Sequence, residues 1–276
     1  MARRCAVLGD PIAHSLSPAL HRAGYQAVGL DWSYDAHQVP SGGLRAFLAD
    51  LDDSWRGLSL TMPLKREAMA VVDDVDAAGR MAGAVNTLIL DQGAVRGANT
   101  DVPGAVTAIR EQVPGVLERG VVLGGGATAT STGLALCELG VCDVRVVVRE
   151  PARARETVAA IASHPSRPQV EVETLDAGAS FEADIVVSTV PAAAQDELLV
   201  ARCAEVPVLF DVIYYPWPTP LATAARASGR TVVGGLDLLV HQAVLQFELF
   251  THRTAPLDAM RAAGQRALAL RAGHDD

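Results

Sequence analysis

Two hydroxyls at alternate positions, Ser15 and Ser17, stand just before Pro18. In an extended segment alternate side chains share a face, so both can donate to one anion. Ser followed by Pro equally suits a helix N-cap, with Ser17 capping and Ser15 alone reaching a ligand. Lys65 follows Pro63 at the start of an expected helix, so its ammonium can reach out past a strand end; a solvated surface lysine is the plain alternative. Asp101 closes Asn99-Thr100-Asp101 ahead of another helical pattern, a place for an acid that handles protons and equally for a first-turn acid at the positive helix end. In mid-chain, Val121-Val122-Leu123 runs into Gly124-Gly125-Gly126 and on into Ala127-Thr128-Ala129, which reads as strand, tight turn and helix. Glycines there let the backbone approach a pyrophosphate lying against the helix N–H groups. A simple loop also uses such glycines, and Ala127 replaces the third glycine of the usual pattern.

Elements of two kinds must position these groups. Short β-rich runs (Cys5 to Leu8, Trp32 to Val39, Gly57 to Thr61) alternate with helical patterns (Pro18 to Val28, Gly43 to Leu51, Leu64 to Val72), as in a parallel sheet covered by helices. Ala84 to Leu90 and Ala94 to Ala98, joined by Asp91-Gln92-Gly93, read as a hairpin. A helix follows over Val102 to Gln112, and then strands begin at Val121, Val144, Val170, Ile185 and Val208. Their continuous apolar runs, such as Val146-Val147-Val148, mark strands covered on both faces and a Rossmann-like domain. After Thr231-Val232-Val233 the chain turns helical over Leu236 to Phe250 and Leu257 to Leu270, and these helices are expected to pack back on the first domain. The tail Gly273-His274-Asp275-Asp276 is expected to fray.

The chain has 276 residues, half of them hydrophobic, which suffices for two cores. A formal net charge of −9 without a Lys/Arg-rich run argues against nucleic acid or an anionic membrane as partner and leaves a small molecule as the expected one. The apolar stretch after Met1-Ala2-Arg3-Arg4 is too short for a signal peptide, and no later run approaches the roughly 20 apolar residues needed to cross a bilayer. Cys5, Cys137, Cys142 and Cys203 lack CxxC spacing and read as reduced, buried thiols of a cytoplasmic protein. The seven histidines are dispersed, so no metal site is expected.

Five motifs together, Ser15-Leu16-Ser17-Pro18, Leu60-Thr61-Met62-Pro63-Leu64-Lys65, Gly83-Ala84-Val85-Asn86-Thr87, Asn99-Thr100-Asp101 and His241-Gln242-Ala243, resemble those of the shikimate dehydrogenase family over essentially the full length. The resemblance implies an α/β protein: an N-terminal substrate and catalytic domain over 1–103, completed by C-terminal helices 238–276, and a Rossmann-like dinucleotide-binding domain over 104–237, with a cleft between them. It implies NADP-dependent reduction of 3-dehydroshikimate to shikimate. Lys65 is then the acid/base and Asp101 its partner. Ser15 and Ser17 would anchor the substrate carboxylate, while Thr61, Asn86, Tyr214 and Gln242 would meet ring hydroxyls. Where many family members carry Asn two residues before the Thr, this chain has Ser59.

For the cofactor the resemblance implies Gly124, Gly125, Gly126, Ala127, Thr128 and Ala129 at the pyrophosphate, Arg149 and Arg153 at a 2′-phosphate, and Ile213, Gly235 and Leu238 at the nicotinamide end. Glu150 beside Arg149 adds a like charge, so NAD and a quinate/shikimate dehydrogenase remain the nearest alternative. A non-catalytic nucleotide-binding regulator would need neither Lys65 nor Asp101. The oligomeric state, monomer or homodimer, is not legible.

Overall fold

The computed structural model describes residues 3–176 and 178–272, so the tail expected to fray lies outside the described residues. The chain forms two compact units, one of residues up to Thr100 together with those from Leu239 on, the other Asp101–Leu238.

The first unit is built on strands β1 (Arg4–Gly9), β2 (Ser33–Gln38), β3 (Trp55–Leu60), β4 (Asp74–Val75), β5 (Thr87–Asp91) and β6 (Ala94–Ala98). Helices α1 (Ser17–Ala27), α2 (Leu44–Ala49), α3 (Leu64–Glu67) and α4 (Ala77–Ala82) connect them. The strand order is β2-β1-β3-β5-β6-β4, parallel except for β5, which runs against both its neighbours. The hairpin turn carries Gln92 at φ 50° and Gly93 at φ 83°, the left-handed pair that a two-residue reversal needs. Its first arm starts at Thr87, three residues later than the pattern suggests, because the Val85 N–H is drawn to the Lys65 carbonyl (2.9 Å). The helix expected over Leu64 to Val72 ends at Glu67 and tightens to a 3₁₀ turn over Ala68–Ala70. The sequence reading passed over β4 and α4; α4 is bracketed by Asp76, whose side chain accepts from the Gly79 N–H, and by Gly83 in the left-handed conformation.

The second unit holds β7 (Arg119–Leu123), β8 (Asp143–Val148), β9 (Gln169–Thr174), β10 (Ile185–Ser188), β11 (Val208–Asp211) and β12 (Thr231–Gly234). Helices α5 (Asp101–Gln112), α6 (Ala127–Glu138), α7 (Arg155–Ala162), α8 (Glu197–Arg202) and α9 (Pro220–Ala227) accompany them. All strands are parallel in the order β12-β11-β10-β7-β8-β9, the doubly wound dinucleotide-binding topology. β10 and β11 are buried at every position, as strands sandwiched between helices must be. The thiols of Cys5, Cys137 and Cys203 are free and buried, whereas Cys142, just past the Gly140 turn, is exposed and departs from the expectation.

Two last helices, α10 (Gly235–Thr251) and α11 (Leu257–Ala272), follow. α11 packs on α1, and Phe250 of α10 lies so close to β3 that a Cβ at Gly57 would come within 2.1 Å of its ring. Glycine is therefore the residue that fits there. The core at this point is aromatic: His21 stacks on Tyr34 with ring centroids 4.1 Å apart and planes 5° from parallel, and Tyr25 meets Phe247 at 5.5 Å. No helix among the described residues is long and apolar enough to cross a membrane.

His21 has no exposed surface, and burial pushes its pKa down to about 3, with the Gln246 amide opposing. The unfolded chain therefore takes up a proton below about pH 6.5 that the folded chain refuses, and stability falls as the pH drops through this window by about 1.4 kcal/mol per unit. Between about pH 6 and pH 4 the stability advantage of the native chain over a His21→Leu variant should shrink by about 2 kcal/mol in denaturant titrations. A gap that stays constant would show that His21 carries its proton in the core.

Candidate active site

Parallel β1, β3 and β6 all end at one edge of their sheet, and the residues that follow them carry the candidate chemistry. Antiparallel β5 begins at that same edge, so Asn86, the residue before it, joins them. The register makes this concrete: Ser59 pairs with Thr87 and Thr87 with Ala98, while the Leu60 N–H donates to the Asn86 carbonyl (2.7 Å) and the Asn86 N–H to Ala98 (3.1 Å). Thr61 is tied to β1 through its N–H and the Leu8 carbonyl (2.9 Å). Half-buried Lys65 opens the helix after β3, and buried Asp101 opens the helix after β6.

The Asn86 side chain, 1 % exposed, is the best determined of these groups. Its Oδ1 accepts from the Thr100 backbone N–H (2.8 Å) and the Thr87 hydroxyl (2.9 Å). A backbone N–H can only donate, so Oδ1 is fixed on that side and Nδ2 must face the other. There it donates to Thr100 Oγ1 (2.9 Å) and Gln242 Oε1 (3.3 Å). Gln242 in turn donates through Nε2 to the Leu239 carbonyl (2.8 Å). Asn99, next to Thr100, is held by its own amide on the Ala84 carbonyl (2.9 Å) and by Asp76, the cap of α4, on its N–H (3.2 Å).

The two serines divide. Leu16 is the N-cap of α1 and makes no side-chain cap bond, so Ser17, inside the helix and buried, is not the cap. Ser15 is half-buried, and its Oγ accepts from the Ser17 N–H (3.3 Å). Arg271, in the last turn of α11, donates to the carbonyls of His14 and Ser15 and anchors this loop. Sequence reading missed that anchor, since a basic residue at a helix C-terminus signals only dipole compensation. It also left the role of Ser59 open: Ser59 is 3 % exposed and bonded to Tyr34 and Gln246, inside the sheet rather than at its edge.

In the second unit the candidate groups follow the C-terminal ends of the parallel strands, where doubly wound sheets bind ligands. β7 and β10 are adjacent, so the strand order reverses beside Gly124. Gly124 has φ 118°, a conformation open to glycine, and an added Cβ would come within 2.2 Å of Thr189 Oγ1. A Cβ on Gly125 would sit 3.0 Å from the Ala154 Cα. Gly126 is the N-cap of α6 without any side-chain cap bond, which leaves the first-turn N–H groups of Ala127, Thr128 and Ala129 to an outside acceptor. Ala127 lies in the helix, where the backbone accepts its methyl without cost.

A cavity of about 280 Å³ opens here, lined by Gly124, Gly125, Gly126, Arg149, Glu150 and Arg153 among others. Glu150 Oε2 is 2.9 Å from Arg153 Nε, so the acid that threatened a bound phosphate is itself paired. Ile213, Tyr214, Gly235 and Leu238 do not line this cavity; they lie after β11 and β12. The Asp211 carboxylate, its pKa raised by burial, accepts from the Ile213 N–H (3.1 Å), Gln195 (2.9 Å) and Thr219 (2.7 Å) and so fixes that turn. Gly235 admits no side chain, since a Cβ would meet the Val212 carbonyl at 2.2 Å. Asp211 carried no signal in the sequence beyond being an acid at a strand end.

The glycine cradle, the bare α6 terminus and the arginines fit a dinucleotide on structural grounds alone. Comparison with known proteins agrees. Residues 7–88 match the family model of the shikimate dehydrogenase substrate binding domain, and residues 235–263 that of the shikimate 5'-dehydrogenase C-terminal domain. A shikimate dehydrogenase (NADP(+)) of Symbiobacterium thermophilum is 34 % identical, with 96 % of this chain and 95 % of that protein covered. The crystal structure of Mycobacterium tuberculosis shikimate dehydrogenase superposes with a TM-score of 0.88 at 36 % identity, over 96 % of this chain and 99 % of that one. The Thermus thermophilus shikimate 5-dehydrogenase in complex with NADP(H) and shikimate gives a TM-score of 0.85 at 32 % identity, over 96 % and 99 %. Sequence identity at this level, sustained along nearly the whole chain, goes beyond a shared fold: the chain belongs to the shikimate dehydrogenase family.

Proposed function

We propose that the protein is an oxidoreductase that reversibly reduces 3-dehydroshikimate to shikimate with NADP(H), in the cytoplasm, as a step of chorismate and aromatic amino acid biosynthesis. The observation that carries this reading is the gathering of Thr61, Lys65 and the oriented Asn86–Gln242 amides at one sheet edge in a chain of this family. The unit up to Thr100 and from Leu239 on takes the substrate, and the unit Asp101–Leu238 takes the dinucleotide.

The substrate offers a carboxylate and ring hydroxyls. Ser15, the half-exposed serine, donates to the carboxylate, and buried Ser17 supports it by lending its N–H to Ser15 Oγ. On substrate binding Asn86 Nδ2 exchanges its 3.3 Å bond to Gln242 Oε1 for a ring hydroxyl, and the released Gln242 amide meets a second one, with Thr61 and Tyr214 completing the set. Each is a contact that a substrate lacking the hydroxyl leaves unpaired, which makes it discriminating. A nicotinamide dinucleotide, when bound, would supply or take up the hydride at the carbon that carries the reacting oxygen. Lys65 handles the accompanying proton: its Nζ gives one to the carbonyl oxygen in the reducing direction and takes it back in the other. Asp101 orients that ammonium.

Gly124, Gly125 and Gly126 with the first turn of α6 would hold the pyrophosphate, and Arg149 and Arg153 would hold the 2′-phosphate. Ile213, Gly235 and Leu238 bound the nicotinamide end. Glu150 is the one feature that favours the second reading, a quinate/shikimate dehydrogenase using NAD, because an acid after this strand suits free ribose hydroxyls. Its pairing with Arg153 takes up that charge and supports NADP.

Initial rates followed by reduced-nicotinamide absorbance, with shikimate or quinate and NADP⁺ or NAD⁺ in all four pairings, should be highest for shikimate with NADP⁺. A clear preference for quinate with NAD⁺ would replace this reading by the second. Lys65→Ala should lower kcat by on the order of a hundredfold or more while the Kd of NADP⁺ stays within about twofold. Undiminished turnover in that variant would assign the proton to another group.

A further inference from the structure

Gln246 is 1 % exposed, lies one helical turn beyond Gln242 on α10, and makes contacts that fix a direction. Its Nε2 donates to the Asn86 carbonyl (3.0 Å) and to Thr87 Oγ1 (3.0 Å). Its Oε1 accepts from Ser59 Oγ (2.7 Å), which accepts from the Tyr34 hydroxyl (2.5 Å). An amide N–H cannot accept, so Thr87 Oγ1 must receive this bond and use its single hydrogen elsewhere. That hydrogen goes to Asn86 Oδ1 (2.9 Å). The array runs in one sense throughout, from Tyr34 through Ser59, Gln246 and Thr87 to Asn86 and Gln242.

Without the Gln246 donor, Thr87 Oγ1 would be free to turn its hydrogen to Thr100 Oγ1, 3.4 Å away, and Asn86 Oδ1 would lose one of its donors and keep the Thr100 N–H. We propose that Gln246 is a positioning residue for substrate recognition: by donating to Thr87 Oγ1 it directs the Thr87 hydrogen onto Asn86 Oδ1, and this second bond holds the amide firmly in the orientation that the Thr100 N–H sets. This rests on the proposed shikimate dehydrogenase activity and assigns a role to a residue that touches neither substrate nor cofactor. Burial of so many polar groups beside the aromatic core is tolerable because each partner is supplied. The same closure means that one missing donor loosens the bonds next to it, and Asn86 Oδ1 is then held by the Thr100 N–H with less support. Ser59 belongs to this device: it accepts from the Tyr34 hydroxyl and donates to Gln246 Oε1, which sets the amide of Gln246 with its nitrogen toward Thr87.

Gln246→Met keeps the volume and removes the donors. It should raise KM for shikimate about tenfold, the loss of one to two hydrogen bonds, with kcat and KM for NADP⁺ within about twofold. Thr87→Val, which breaks the same link from the other side with less change in the core, should give the same pattern. In an Asn86→Ala background, Gln246→Met should raise KM no further, because the effect passes through Asn86. A full additional rise there, or an unchanged KM in both single variants alongside lowered thermal stability, would overturn the proposal and leave Gln246 a structural residue. In the ligand-free protein the nitrogen-15 side-chain resonances of Asn86 should shift and broaden in Gln246→Met. That change in a protein inert toward shikimate would end the functional reading alone, whereas unchanged resonances in an active enzyme would end this one.

Discussion

The obligation to pair every polar group taken out of water organises the candidate site. Asn86 is all but inaccessible, and its amide must find donors and acceptors from protein. It finds them on three pieces of chain: Thr87 on the strand it begins, Thr100 at the exit of β6, and Gln242 on α10. An unpaired amide in that place costs a few kcal/mol, so these pieces are held together by the same bonds that orient the recognition group. Recognition and cohesion are here one set of contacts.

The second unit solves a different problem. Its strands are all parallel, so their carboxyl ends share one edge, and the groups that follow them converge without being close in sequence. Gly124, Arg149, Thr189 and Ile213 come from four separate strand ends. What varies along the edge is how little room is left: at Gly124 and Gly235 an added methyl would collide with a neighbour. The backbone at these points is set by packing before any ligand arrives, which lowers the ordering a bound dinucleotide must bring about.

Much of this could be read from the residues because the signals were local. Alternation of short apolar runs with helical patterns revealed both sheets, and the glycine turn, the Asp91-Gln92-Gly93 reversal and the start of α5 came from turn and cap chemistry. What stayed hidden depended on partners distant along the chain. Gln246 reads as an ordinary helical residue until Ser59 and Thr87 are placed opposite it. Arg271 reads as a dipole counter-charge until the Ser15 loop lies within its reach. Ser17 looked like a cap, yet the helix begins a residue earlier at Leu16, and the hydroxyl is buried instead. The two-residue strand β4 and the six-residue helix α4 were too short for any period to show.

The discontinuity of the first unit bears on the order in which the protein can be completed during translation. Its sheet emerges first from the ribosome, but Phe247 and Phe250, which close the aromatic core, and Gln246, which adds a second donor to the Asn86 carbonyl, are encoded beyond the entire intervening unit. The intervening unit has all its strands in hand before Leu239 is made. The nascent amino-terminal half therefore waits, with its apolar face uncovered, while a later portion of the polypeptide can finish ahead of it.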